Sequence, residues 1–201
     1  LEMDKETPRA PAVLYGRPGL ETRGVVGNGP WRGAIRVGER VFLVSGNEVY
    51  RMTYSPGFGY TANSMGTILS SSGPIGIASN GPQVLIVDGV GGYLVDTAAL
   101  TLSTVTDPGF PTGVTRATYQ DGYFLVSGDG TNKFYINETP YDGLAWNALD
   151  FASAEGAPDN IVTLISDHQE IWLFGDNTTE VWVNTGNADF PFQRSGNTLI
   201  Q

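Results

Sequence analysis

Residues 167–184 read DHQEIWLFGDNTTEVWVN and contain two short runs of β-branched and aromatic residues. The runs, 171–174 and 180–183, are separated by a polar turn of glycine, aspartate, asparagine and threonine. Strong strand formers on either side of such a turn predict a β-hairpin. A third run, 161–165, precedes them and ends in another polar turn, so this region is predicted to form a three-stranded meander.

The same meander occurs three more times upstream. Each copy has a middle run of four largely apolar residues, followed within two positions by a glycine. These glycines, Gly46, Gly89, Gly128 and Gly175, are 43, 39 and 47 residues apart. A repeat of this length made only of strands is typical of the blades of a β-propeller. The runs of the upstream copies are 34–37, 41–44 and 48–52; 75–78, 84–87 and 93–95; and 115–119, 123–126 and 133–136.

The repeats therefore predict an all-β fold, a β-propeller with about four blades in this chain. The middle runs are apolar at nearly every position, as expected of strands that neighbouring blades cover on both faces. A β-sandwich is the alternative, because sandwiches also contain short strands at regular spacing. Outer strands are expected within 65–69, 100–105 and 141–151, whereas the last blade is expected only to begin its outer strand. Residues 55–60 are expected to form a loop between blades.

The predicted organisation is an extended N-terminal arm, residues 1–22, followed by a partial propeller, residues 23–201. Pro8, Pro11 and Pro18 interrupt the arm and argue against a helix there. Four blades, the last one incomplete, leave an open ring that exposes sheet faces and favours association. We therefore expect these residues to be part of a larger propeller. Its other blades would come from a second polypeptide, a deleted segment or a partner subunit.

The composition argues against several kinds of site. The chain carries 11 lysine and arginine residues against 21 aspartate and glutamate residues, a net charge of −10. A protein that grips DNA collects cations to neutralise phosphates, so no specific nucleic-acid binding is expected. No cysteine is present and His168 is the only histidine, which argues against a zinc site. No apolar segment is long enough to span a membrane, and no metal or cofactor is expected.

Six carboxylates at predicted blade turns raise the alternative of a glycan-binding propeller or a glycoside hydrolase. A hydrolase would hold two acids about 5–9.5 Å apart, with shifted pKa values, at one end of the channel. Turns favour aspartate and glutamate without any catalytic role, so we expect the protein not to be an enzyme. The six residues are Asp121, Asp129, Asp167, Glu170, Asp176 and Glu180.

A more specific pattern lies in the last third of the chain. It comprises WNALDFASAE at 146–155, PD at 158–159, HQEIWLFG at 168–175, EVWVNTG at 180–186 and FPFQR at 190–194. These residues resemble the phage head-to-tail stabilisation proteins, the packaged-DNA stabilisation or tail hub proteins of short-tailed phages. Upstream, RPGL at 17–20 and VFLVSG at 41–46 are similar to the first blade of that family. The resemblance corresponds to the N-terminal half of the family's members.

The resemblance implies a structural, non-enzymatic role in the tail of the virion, for a protein made in the cytoplasm of a bacterial host. Family members are similar to propellers that assemble as a ring, commonly a hexamer, below the portal and its adaptor protein. Such a ring keeps packaged DNA from leaking out of the head. It also provides attachment for the tail needle and the tailspikes.

Aromatic residues in the predicted loops are the candidate contacts of such a ring, because aromatic side chains are enriched at interface hot spots. The alternative is that these rings cover the core of their own blade. The candidate interface residues are Phe58, Tyr60, Phe110, Phe190, Phe192 and Arg194.

Replacing Phe192 with alanine is expected to weaken ring assembly while leaving folding intact. Native mass spectrometry measures the assembly and thermal unfolding measures the folding. A variant that unfolds, and loses assembly only as a consequence, would instead assign Phe192 to the core of its blade.

Overall fold

The computed structural model describes residues 19, 25–57, 59–157 and 159–200. Within these ranges, sixteen strands form four antiparallel sheets of four strands each. The strands of every sheet follow one another in chain order, so each sheet is a meander, as the repeats predict. The predicted arm, residues 1–22, lies outside the described residues except for Gly19.

The four sheets are the four blades. Blade 1 contains β1 (Trp31–Val37), β2 (Arg40–Ser45), β3 (Glu48–Ser55) and β4 (Gly59–Thr67). Blade 2 contains β5 (Gly76–Ser79), β6 (Gln83–Val87), β7 (Gly92–Asp96) and β8 (Thr101–Thr104). Blade 3 contains β9 (Val114–Gln120), β10 (Tyr123–Gly128), β11 (Lys133–Asn137) and β12 (Trp146–Ser153). Blade 4 contains β13 (Ile161–Asp167), β14 (Glu170–Gly175), β15 (Thr179–Asn184) and β16 (Phe192–Ile200).

Two sequence-based expectations about the outer strands are wrong. Blade 4 is complete, because β16 pairs with β15 over most of its length. The expected inter-blade loop at 55–60 is a hairpin inside blade 1, where β3 turns into β4. Gly57 and Gly59 have φ angles of 86° and 77°, which suit glycine and allow this reversal. Both outer strands are rich in polar residues, so the apolar pattern that marks the middle strands is weak in them.

The first strands of the four blades lie side by side. Strand β1 packs against β5, β5 against β9, and β9 against β13. The blades therefore follow one another as an arc in chain order. Between the two end strands, β13 and β1, the described residues show no packing of comparable extent, so the arc does not close on itself.

Three apolar cores hold the arc together, and each lies between two successive blades. The middle strand of blade 2 shows how one strand serves two cores. Val84 and Ile86 pack towards blade 1, whereas Leu85 and Val87 pack towards blade 3. Successive side chains of a strand point to opposite faces, so a strand covered on both faces is apolar throughout. This explains the continuous apolar runs of the sequence.

Phe192 belongs to the third core, between blades 3 and 4. It is the first residue of β16 and only 3% exposed, and its ring meets Tyr123 edge to face with 5.7 Å between centroids. Phe190, in the loop before β16, packs against the same core. Phe192 is therefore not an exposed loop residue as the sequence suggested, because the polar strand β16 was not recognised. The rings of Phe190 and Phe192 instead cover the core beside their own blade, as in the alternative given for these residues.

A partly buried polar cluster joins blades 1 and 2 through the segment that connects them. Arg32 of β1 donates to the carbonyl of Ser70 at 2.8 Å and to its hydroxyl at 2.7 Å. Asp88, after β6, accepts from the backbone N–H and the hydroxyl of Ser70 and from the N–H groups of Val90 and Gly91. The carboxylate of Asp88 is buried, and its hydrogen bonds pin the connecting segment to both blades.

These hydrogen bonds also set the ionisation of Asp88. Burial raises the pKa of the carboxyl, but the hydrogen bonds from Ser70, Gly91 and Val90 outweigh burial and hold the pKa below its usual value. A carboxyl with a lowered pKa in the folded protein stabilises the fold above its unfolded pKa, about 3.9 for aspartate. That contribution is lost as the pH falls towards the folded pKa.

Two further arginines connect blades by donating to backbone carbonyls. Arg40, at the start of β2, donates to Thr97 in the turn after β7 at 2.5 Å. Arg116 of β9 donates from Nε to the carbonyl of Val162 in β13 at 3.0 Å. The guanidinium fork suits such contacts because several of its N–H groups are available in fixed directions.

Phe192→Ala is expected to lower the free energy of unfolding by about 3–5 kcal/mol, the usual cost of removing a buried phenylalanine ring. Urea denaturation measures this change. Leu149→Ala is the control, because Leu149 is 79% exposed and should change the free energy by no more than about 0.5 kcal/mol. Equal, small effects in both variants would contradict the core position of Phe192.

Asp88→Asn is expected to lower the free energy of unfolding at pH 7 by about 1–3 kcal/mol, because a buried charged acceptor is lost. Below about pH 4 the difference from the unsubstituted protein should begin to shrink, because the unfolded chain then binds a proton that the folded carboxyl still resists, and it should be lost once the pH passes below the lowered pKa of Asp88 in the folded protein. Asp96→Asn is the matched control, since Asp96 accepts the N–H groups of Ala98 and Ala99 in an exposed turn. A difference that does not depend on pH would contradict this role of Asp88.

Candidate interaction surfaces

Three of the six carboxylates considered as catalytic acids have structural partners of their own. Asp129 pairs with Arg116 at 3.3 Å, and Asp167 lies 2.8 Å from the imidazole of His168. Glu180 is buried and accepts from the indole of Trp182 at 2.9 Å. Of the six, Asp167 and Glu170 face each other across β13 and β14, on either side of one surface turn. Within the part of the chain that the structure describes, no group of three or more histidine, cysteine or acidic residues is arranged to hold a metal ion.

Asp159 and Asp150 both have shifted pKa values, but in opposite directions and for different structural reasons. The pKa of Asp159 is lowered, first by the backbone N–H of Asn177 and also by the N–H and hydroxyl of Thr178. Asp159 therefore caps the turn between β14 and β15 as an ionised acceptor. Burial raises the pKa of Asp150, and the charge of Asp189 adds to this. Asp150 lies on β12, an outer strand, away from the inner-strand ends where a propeller hydrolase would hold its acids.

His168 is a turn residue, as the sequence suggested. It lies between β13 and β14 with a φ of 48°, and its side chain is exposed. The hydrogen bond to the carboxylate of Asp167 raises the pKa of the imidazole. The contact belongs to a local pair at the surface.

The predicted interface residues differ in how far they are exposed. Tyr60 is exposed and its ring packs at a tilt against that of Tyr54, with 5.0 Å between ring centroids. Phe110 is half-buried and meets Trp146 edge to face at 4.9 Å, under the connection between blades 2 and 3. Phe58 lies outside the described residues.

Arg194 is partly available at the surface. Its side chain is 40% exposed, and its Nη1 lies 3.7 Å from Oε1 of the buried Glu180. Since Phe190 and Phe192 pack in the third core, Tyr60 and Arg194 are the predicted interface residues that remain accessible among those described.

A groove of about 520 Å³ lies on the face of blade 1 that points away from blade 2; we call it the tyrosine groove. Tyr54 and Tyr60, which are paired across β3 and β4, are 59% and 57% exposed. The groove joins these rings to polar and charged groups at the end of the first hairpin. Its lining residues are Arg36, Glu39, Val41, Tyr54, Pro56 and Tyr60.

The face of blade 4 that points away from blade 3 is also apolar; we call it the open face of blade 4, formed by Ile165, Trp172, Phe174 and Ile200. Ile165 pairs across the strands with Trp172, and Ile165 and Ile200 are 47% and 51% exposed. The rings of Trp172 and Phe174 lie nearly parallel, at 23° and 6.4 Å between centroids. Their strand neighbours Ile171 and Leu173 point the other way, into the third core.

The sequence predicts that the run 171–174 is covered on both faces, so the open face of blade 4 was not predicted. The continuous apolar run of the repeat did, however, indicate that both faces of this strand need cover. A middle strand that is apolar on both faces requires a neighbour on each side, and blade 4 has a described neighbour on one side only.

The described residues contain no helix with the length and apolar character that crossing a membrane requires.

Comparison with known proteins identifies the family. The sequence model of the family described as bacteriophage P22 Gp10, β-propeller, matches residues 1–201. No curated protein matches the chain. The structure is similar to that of BamB from Moraxella catarrhalis, with a TM-score of 0.56 and 14% identity, over 78% of this chain and 45% of that protein. It is also similar to human WBSCR16, with a TM-score of 0.54 and 13% identity, over 85% of this chain and 54% of that protein.

These likenesses carry different weight. At 13–14% identity the two solved structures show the fold alone, and the chain spans about half of the length of each. The family match covers the whole chain and confirms the resemblance seen in residues 146–194. The chain therefore belongs to the phage stabilisation family of bacteriophage P22 Gp10 and is a phage structural protein with a β-propeller fold.

Proposed function

We propose that this protein is a non-enzymatic component of the phage tail hub that stabilises the head-to-tail channel and helps to retain packaged DNA. The observation that carries the proposal is the family match over residues 1–201. A virion component is the coarse role that this family indicates. The finer role, in the channel and in DNA retention, is the proposal.

The charge of the chain supports a role beside DNA without tight binding to it. The net charge is −10, and three arginines of the described residues, Arg32, Arg40 and Arg116, donate to backbone carbonyls between blades. Cations held in this way are poorly placed to neutralise phosphates, which is what DNA binding requires. An acidic protein surface of this kind would block or surround DNA and would not bind it sequence-specifically.

The proposed partners are other copies of the chain in a ring, the portal adaptor protein, the tail needle and the tailspikes. Tyr54 and Tyr60 support a protein contact, because exposed tyrosines supply rigid apolar area with a polar tip. The same groove, with Arg36 and Glu39 beside the rings, also favours a second candidate, a glycan-binding surface.

The proposal is tested with DNA-filled heads from a phage that lacks its own tail hub protein. Adding the purified chain is expected to reduce the DNA that becomes accessible to nuclease and to make the chain co-sediment with the heads. An unrelated propeller of similar size and negative charge is the control and should do neither. Failure of the chain to co-sediment or to slow DNA release would contradict the proposal, and a positive glycan array would then favour the second candidate.

A further inference from the structure

The longest hairpin loop among the described blades lies in blade 3. It connects β11 to β12 and comprises residues 138–145, which we call the blade 3 loop; the corresponding loops are residues 56–58 in blade 1, 97–100 in blade 2 and 185–191 in blade 4. Blade 3 packs against blade 2 on one side and against blade 4 on the other. The exposure of side chains in this loop is therefore not the exposure of an end blade.

A fully buried side chain fixes the first part of the blade 3 loop. Asn137 is the last residue of β11, and its amide donates to the carbonyls of Thr139 and Asp142. Its Oδ1 accepts from the backbone N–H of Phe124 in β10 at 2.6 Å. Because Asn137 uses both ends of its amide, it joins the loop to the middle strand of its own blade.

The second part of the loop is fixed at Gly143. The indole of Trp146 donates to the carbonyl of Gly143 at 2.8 Å, and Oε1 of Gln83 in blade 2 accepts from its N–H at 3.2 Å. A Cβ at this position would lie only 2.7 Å from Leu94 of blade 2, so the loop backbone packs closely on that blade. The loop is thus held by two blades and is ordered before any partner binds, which lowers the entropy cost of binding.

Tyr141 lies in the middle of this ordered loop in a strained conformation. Its φ angle is 65°, in the left-handed region that costs energy for a residue with a Cβ, and its N–H donates to the carbonyl of Gly122 at 2.7 Å. Its side chain is 68% exposed, and that of Leu144 is 44% exposed. Neither side chain belongs to the three cores. The loop therefore holds an aromatic and an aliphatic side chain outside the fold at a cost, a pattern that is associated with binding sites.

These two side chains suit a macromolecular partner better than a small ligand. Sites for sugars and small ligands are concave and bury most of the ligand surface. Tyr141 and Leu144 instead protrude, so the pocket that receives them has to come from the partner. Exposed tyrosine anchors of this kind are typical of the centre of protein interfaces.

The charges around the two side chains indicate the chemistry of the partner. Asp121 lies in the first hairpin turn of blade 3, beside the Gly122 that accepts from Tyr141. Glu138 is the first residue of the loop; it and Asp121 are exposed, and Asp142 is half-buried. No lysine or arginine of the described residues pairs with these three carboxylates. A partner therefore meets unpaired negative charge here, and electrostatic complementarity selects a positively charged one.

We propose that the blade 3 loop binds a basic segment of a partner protein. An arginine or lysine side chain of the partner lies over the ring of Tyr141, which attracts a cation, and its charge is close to Asp121 and Glu138. Leu144 contacts the apolar stem of the same side chain. The net charge of −10 disfavours DNA or another copy of this acidic chain at the loop. The inference concerns the surface that meets a partner and does not depend on the proposed role in DNA retention.

The test is a titration of the purified, isotope-labelled chain with a short arginine peptide, Ac-Gly-Arg-Leu-Arg-Gly-amide, followed by NMR. Amide resonances of residues 121–122 and 138–145 are expected to shift with the peptide concentration, because these residues surround Tyr141. The same peptide with glutamate in place of both arginines should shift none of them. The experiment needs neither phage heads nor DNA, so its result is separate from that of the nuclease test.

Two variants test the side chains that the proposal names. Tyr141→Asn removes the ring and introduces a residue that tolerates the left-handed conformation, and Glu138→Gln removes the charge with little change of size. Each should weaken peptide binding about two- to five-fold, the usual effect of losing one exposed cation–π contact or ion pair. Tyr60→Asn and Glu39→Gln are the matched controls, because both residues are exposed in blade 1, and should not change the affinity.

Circular dichroism and thermal unfolding show whether each variant is folded. If Tyr141→Asn is not, Glu138→Gln decides, since the side chain of Glu138 makes no hydrogen bond within the described residues. Equal affinity of both loop variants and the unsubstituted chain would overturn the proposal. So would peptide-induced shifts spread evenly over the acidic surfaces of all four blades, because these would indicate only general charge attraction. Shifts of the same amides by maltohexaose, with none by the arginine peptide, would assign the loop to glycan binding instead.

Discussion

The structure depends on covering both faces of each middle strand. Strand β6 is the clearest case, because Val84 and Leu85 are neighbours in the chain and yet belong to two different cores. A single blade is a four-stranded sheet without a core of its own, so it gains its stability from the blades beside it. The fold is therefore an array whose stability lies in the interfaces between repeats.

Polar groups have a second role, because their hydrogen bonds fix the position of one blade relative to the next. Apolar packing has little directionality, whereas the hydrogen bonds of Arg32, Ser70 and Asp88 join defined atoms of the connecting segment to both neighbouring blades. At the junction of blades 3 and 4, Asp159 receives the N–H groups of Asn177 and Thr178 in the same manner. A carboxylate that accepts several donors orders a loop, and where the carboxylate is buried, as in Asp88, leaving it unpaired would be costly.

The parts of the fold that are rich in apolar residues were predictable from the sequence, and the parts that face solvent were not. The middle strands were recognised because their runs are continuous, as in 84–87 and 171–174. Strands β4 and β16 were missed or shortened because edge strands carry polar residues, and Gly196 interrupts β16 as well. The same error placed Phe192 in a loop, since a ring is recognised as buried only when its strand is recognised.

The candidate surfaces were less predictable, because exposure depends on which neighbouring blades cover a strand. Trp172 and Leu85 occupy similar runs in the sequence, yet Leu85 lies in a core and Trp172 lies on the open face of blade 4. Nothing in the local sequence distinguishes them, because both strands were built for cover on both sides. The half-buried rings of Trp172 and Phe174 lie on the face of blade 4 that no described blade covers. An apolar face of this kind is unfavourable in water, so its cover is as much a requirement of the fold as the three cores that the chain already contains.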